Sequence, residues 1–128
     1  MINLKTCHSP KGNLATAEFK DLPFFPKRFF IVSNVPAGEI RGGHAHRKDE
    51  QLLLCHQGKI IIKNENKKET KTYELTPNTA VLLEKLTWST QTYVEEDSIL
   101  ISFCSEEFNE NEYIRDRDEF NRILNKDE

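Results

Sequence analysis

Gly38-Glu-Ile-Arg41-Gly42-Gly43-His44-Ala45-His46-Arg-Lys-Asp-Glu50-Gln51-Leu-Leu-Leu-Cys-His-Gln-Gly58 sets two histidines one residue apart, between a glycine pair and an apolar run. Side chains alternate between the faces of a β-strand, so His44 and His46 point one way and the small Ala45 the other. Arg41 stands three residues before the first histidine. Gly42 and Gly43 let the backbone bend between them, so that a guanidinium and two imidazoles can converge on one small volume. Two histidines on a solvated strand would need neither the glycines nor the neighbouring arginine. The combination reads as the wall of a cavity.

Outward from this stretch the chain reads as short strands separated by turns. Upstream, Ile2 to Cys7 and Leu14 to Phe19 are strand candidates joined through His8-Ser9-Pro10-Lys11-Gly12-Asn13, and Arg28 to Val32 has the aromatic and β-branched content of a third. Phe24, Phe25, Phe29 and Phe30 supply heavy apolar bulk there, read as core, with a subunit interface as the alternative. Downstream, Arg47 to Glu50 is a turn. Gln51 to His56, Lys59 to Lys63, Thr70 to Leu75, Ala80 to Leu83, Gln91 to Val94 and Ile99 to Cys104 are further strands, with Asn64 to Glu69 a hairpin loop. Many short strands at regular spacing mean an all-β barrel or sandwich. Phe120, Ile123 and Leu124 then fall at helical spacing behind Asp116 and Glu119, a capping-box pair, which predicts a short terminal helix.

At 128 residues the chain fits one domain, residues 1–128, able to bury a core without disulfides or a structural metal. Lys and Arg number 18 against 21 Asp and Glu, a formal charge of −3, and the signs are interspersed. That argues against a general nucleic-acid or membrane-surface binder. Cys7, Cys55 and Cys104 are odd in number and widely spaced, as in a reducing compartment. The N-terminus lacks the pattern of a signal peptide, and no apolar run has membrane-spanning length, so a cytoplasmic protein is expected.

The His-x-His strand with Gly38 before it and Gly58 after it resembles the first motif of the cupin superfamily, which implies a jelly-roll β-barrel. Gln51 stands where that motif has an acid, with Glu50 as the alternative, and Glu84 to Ser89 lacks the histidine of the second motif. Two imidazoles without an evident third ligand place a metal-dependent reading below a metal-free one. A narrower resemblance spans nearly the whole chain. Lys11-Gly12-Asn13-Leu14, Arg41-Gly-Gly-His-Ala-His-Arg47, Trp88 and Glu112-Tyr-Ile-Arg-Asp-Arg-Asp-Glu-Phe120 are similar to the sugar-nucleotide 3,4-ketoisomerases, bacterial cupins of deoxysugar biosynthesis.

That resemblance implies a dTDP-linked 4-keto-6-deoxyglucose as substrate, no cofactor or metal, and a homodimer with exchanged N-terminal strands. Members of the family usually carry a tyrosine in the strand before the histidine strand, where this chain has Phe29, Phe30, Val32 and Ser33. Moving a ketone from C4 to C3 needs a proton taken from C3, an enediolate and a proton delivered to C4, and histidine can serve both halves near neutrality. His44 or His46 is the base, with the other holding a sugar oxygen. Arg41 cannot be a base at ordinary pH, but its planar fork suits an enediolate oxygen or a phosphate. Gln51 and Ser33 are candidate substrate contacts, and Lys27 and Arg28 candidate diphosphate ligands. Trp88 either lines the cavity or packs the barrel. Two other functions compete: a small metal-dependent cupin enzyme, and a sugar-nucleotide-binding cupin without catalysis.

Overall fold

The computed structural model describes residues 1–126. Twelve strands and one helix follow in chain order: β1 (Ile2–Asn3), β2 (Lys5–Ser9), β3 (Gly12–Thr16), β4 (Arg28–Val32), β5 (Ile40–His46), β6 (Gln51–Gln57), β7 (Ile60–Glu65), β8 (Thr70–Leu75), β9 (Thr79–Leu83), β10 (Trp88–Tyr93), β11 (Ile99–Cys104), β12 (Tyr113–Ile114) and α1 (Arg117–Lys126). One five-stranded sheet runs β1-β9-β6-β11-β4 and the other β12-β5-β10-β7-β8, all pairs antiparallel. Between them lies a core drawn from both, including Leu53, Ile60, Ile62, Leu75, Leu83, Tyr93 and Leu100. This is the expected all-β, cupin-type jelly roll with a short C-terminal helix, its sheets packed face to face.

Alternation of side chains sorts each strand. In β4, Arg28, Phe30 and Val32 turn inward while Phe29 and Ile31 are exposed. In β10, Ser89, Gln91 and Tyr93 are buried. Ala45 turns away from the histidine face and packs with Ile114 and Phe120, so the small residue makes room for α1. The helix begins as predicted. Asp116 caps it by accepting from the Asp118 amide at 3.2 Å, but Glu119 pairs with Arg47 at 2.7 Å, so the reciprocal half of the capping box is diverted to a tertiary contact.

Several boundaries differ from the sequence reading. The first strand breaks at Leu4, because β1 pairs with β9 whereas β2 pairs with β3. β3 ends at Thr16, and Phe19 belongs to a single 3-10 turn. β7 extends through Asn64 and Glu65, so the hairpin loop shrinks to a turn closed by Asn66, whose side-chain oxygen accepts from the Lys68 and Glu69 amides. β10 begins at Trp88. Cys55 and Cys104 are buried free thiols, each pushed up to about 11 chiefly by burial, and Cys7 is free and exposed. No described helix is long and apolar enough to cross a membrane.

Candidate active site

The two glycines of β5 do more than allow a bend. Ser89 of β10 lies opposite His44 and Thr90 lies opposite Gly42, so Gly43 is an extra residue with no partner, a β-bulge. Residues three apart on a regular strand face opposite ways. The inserted residue resets that alternation, and Arg41 and His44 line the same cavity. Both glycines have left-handed backbone, φ +87° at Gly42 and +76° at Gly43, and a Cβ on Gly42 would lie 2.8 Å from the Ser89 carbonyl oxygen.

The cavity has a volume of about 290 Å³. Its walls come from β4 (Arg28, Phe30, Val32), β5 (Arg41, Gly42, His44), β10 (Ser89, Gln91) and the C-terminal segment (Phe108, Tyr113, Arg115), with Gln51 and Leu83 at the base. Three guanidiniums face it, and no carboxylate is among its described lining residues. This suits an anionic ligand.

His44 lines the cavity and His46 stands beside it, their ring centroids 5.0 Å apart and edge-on. His46 is 1% exposed, and its basicity is pushed down to about 4, first by burial and then by His44. Burial lowers His44 too, with help from Arg115 and against the pull of the Gly42 carbonyl and Glu110. Both imidazoles are therefore neutral near pH 7, and His44, which lines the cavity, is placed to accept a proton there. Tyr113 packs on both, at 5.1 Å from the His44 ring and 4.6 Å from that of His46.

A buried polar chain holds His46 in place. Asp49, 2% exposed, accepts from Arg28 at 3.3 Å, Gln51 at 3.0 Å, Ser105 at 3.2 Å and the Glu106 amide at 3.0 Å. A carboxylate only accepts, so the Gln51 nitrogen faces Asp49, and its second N–H points at His46 Nε2, 3.4 Å away. His46 then carries its own proton on Nδ1, a buried nitrogen without a partner among the described residues. This donor set does not fit a metal. The amide occupies the acid's place, Asp49 is saturated, and no group of three or more His, Cys, Asp or Glu with metal-holding geometry occurs among the described residues.

Comparison with known proteins agrees with this geometry. The family model described as FdtA: WxcM-like, C-terminal, matches residues 1–125. The chain belongs to this family of sugar-nucleotide 3,4-ketoisomerases. It is 30% identical to TDP-4-oxo-6-deoxy-alpha-D-glucose-3,4-oxoisomerase of Aneurinibacillus thermoaerophilus, over 98% of this chain and 92% of that one. Its structure is similar to a 3,4-ketoisomerase from Helicobacter canadensis (TM-score 0.88, 32% identity, 96% of this chain and 94% of that one). It also resembles QdtA from Thermoanaerobacterium thermosaccharolyticum in complex with TDP (TM-score 0.90, 30% identity, 98% and 93% covered). A His-to-Asn variant of QdtA has been solved with TDP-4-keto-6-deoxyglucose.

In this ketoisomerase-family chain, the residues singled out from sequence separate cleanly by strand parity. Arg28, Arg41, His44 and Gln51 line the cavity, with His46 against them. Lys27, Ser33 and Trp88 do not. Lys27 turns outward to pair with Glu106 at 3.0 Å, and Ser33 is exposed just past the end of β4. Trp88 lies one residue out of phase with Ser89 and Gln91, so it faces the helix instead, with the Phe120 ring at 5.5 Å and the Arg117 guanidinium at 5.3 Å from its own ring. Its packing is thus on α1, and not on the cavity or the barrel core. Glu50, the alternative acid, accepts from the Lys85 amide at 3.4 Å and is not among the lining residues. Asp49, Tyr113 and Arg115 were missed: Asp49 sits in what reads as a solvated charged turn, and the other two lie beyond the last obvious strand.

Proposed function

We propose that the chain moves the keto group of a dTDP-linked 4-keto-6-deoxyhexose, with dTDP-4-keto-6-deoxyglucose as substrate, from C4 to C3 by metal-free histidine acid–base catalysis. The observation that carries this is a neutral imidazole, His44, in a cavity faced by three arginines, with a second neutral imidazole, His46, packed against it. A neutral imidazole removes the C3 proton, and the imidazolium returns it to C4. Arg41, beside the histidines, stabilises charge on the enediolate oxygen, while Arg28 and Arg115, held by Asp49 and Glu110, add positive charge at the cavity wall for the diphosphate. Gln51 keeps His46 in one orientation. What the relatives are named for, TDP-linked keto sugars, supports the same substrate class.

The chain acts as one cupin domain, in the cytoplasm where sugar nucleotides are made, and as a homodimer. The β2–β3 hairpin pairs only with itself, and every residue in both strands is exposed. An isolated hairpin is marginal in water, so it gains by docking on a second copy. The outer face of the β4 sheet offers Phe29, 64% exposed, and Ile31, 56% exposed, as the apolar surface for such a copy.

Incubation of the purified protein with dTDP-4-keto-6-deoxyglucose, followed by NMR, tests the activity: the 3-keto isomer is expected. His44→Asn and His46→Asn should each reduce turnover on the order of 10²–10⁴-fold while retaining the fold. Tight dTDP binding with no isomer formed would leave the non-catalytic binding protein as the correct reading.

A further inference from the structure

The family resemblance leads one to expect a phenol from the strand before the histidine strand, but the β4 residues that face the cavity are Arg28, Phe30 and Val32. A phenol reaches the cavity from the opposite side. Tyr113 lies directly across the ladder from His46, on the two-residue strand β12 that edges the histidine sheet. Its half-buried ring touches both imidazoles and Phe108. Two cations lie near it: the Arg115 guanidinium is 4.5 Å from the ring centroid, and the Arg28 guanidinium is 5.5 Å from the Phe108 ring, which Tyr113 also touches.

We propose that Tyr113 is a further catalytic residue of the ketoisomerisation, carrying the proton that passes between the two sugar oxygens while a histidine carries the one that passes between the two carbons. The inference rests on the ketoisomerase reading above. In the first half a histidine takes the proton from C3, the C3–H pair becomes the C3–C4 double bond, and the C4–O π pair moves onto O4, which takes the phenolic proton. In the second half the phenolate takes the O3 proton, the freed pair forms C3=O, and the double-bond pair takes the proton from the imidazolium at C4. Both groups return to their starting forms, and no outside oxidant or reductant takes part. The division of labour follows from position. Tyr113 is the one phenol lining the cavity among the described residues, and it sits against both candidate bases.

Tyr113→Phe keeps every ring contact and deletes only the hydroxyl. Assayed beside the wild-type protein on dTDP-4-keto-6-deoxyglucose, it should lose on the order of 10²-fold or more in kcat, with KM and melting temperature close to wild type. A kcat within about twofold of wild type overturns the proposal. So does a loss of turnover that comes with a clearly lowered melting temperature, because that marks a packing role for the hydroxyl. If the wild-type protein itself forms no 3-keto isomer, the ketoisomerase reading fails and this inference falls with it. Active wild type beside an equally active variant sinks Tyr113 alone.

Discussion

Enclosed behind Gln51 and against Tyr113, the His46 imidazole stays neutral in the folded protein down to about pH 4. In the unfolded chain a histidine charges near pH 6.5. Between those values the unfolded state binds a proton that the folded state does not, so stability falls as pH drops below about 6.5 and levels off below about 4. For this group the loss is about 3 kcal/mol when complete, and His44, lowered in the same direction, adds to it. Denaturant unfolding at pH 7 and pH 4.5 should therefore show His46→Asn losing about 2 kcal/mol less than wild type over that interval. Equal acid sensitivity in the two proteins would mean that His46 is not held neutral by burial. The same enclosure explains what was legible here from sequence. Paired histidines beside glycines and arginine announce a site, but the partners that orient them, Asp49 and Tyr113, arrive through tertiary contacts that local patterns do not encode.

At the scale of the element, strand parity does most of the sorting. Once β4 and β10 are phased, the inward sets Arg28, Phe30, Val32 and Ser89, Gln91 follow, and Lys27 and Trp88 are turned away. The strand read over Gln91 to Val94 was legible in its second half but its start was not: Trp88 is followed by the polar Ser89 and Thr90, and the cross-strand pairing with Glu65, Asn64 and Lys63 supplies what local propensity lacks. Likewise β12, only two residues long, carries no periodicity to detect. The bulge at Gly43 is where parity itself is reset, and Gly42 is its pivot. Gly42→Ala forces left-handed backbone on an alanine and drives its Cβ toward a backbone oxygen that cannot move aside freely. A loss of about 1–3 kcal/mol in unfolding free energy is expected, with activity falling further because Arg41 and His44 no longer meet. Chemical denaturation and turnover of that variant, measured together, check this, and an unchanged midpoint would show that the bulge tolerates a side chain.

The molecule as a whole leaves its N-terminal third thinly supported. Between the β2–β3 hairpin and the outer face of the adjoining sheet lies a hollow of about 400 Å³, lined by Leu14, Leu54 and Ile101 among others. A second copy docked on this face would cover both the hairpin and the exposed Phe29 and Ile31 of β4. Sedimentation at micromolar concentration should give a dimer, and Leu14→Asp together with Ile31→Asp should shift it toward monomer; a wild-type monomer would contradict the arrangement. The pairing of β12 with β5 has a different kind of consequence. Tyr113 and its strand partner His46 are distant in the chain, and protein synthesis runs from the N-terminus. Every other strand of both sheets is synthesised before residue 113, and until then the cavity lacks one wall. The site is thus the last part of the jelly roll for which the chain supplies residues: its final wall arrives after the sheets it closes.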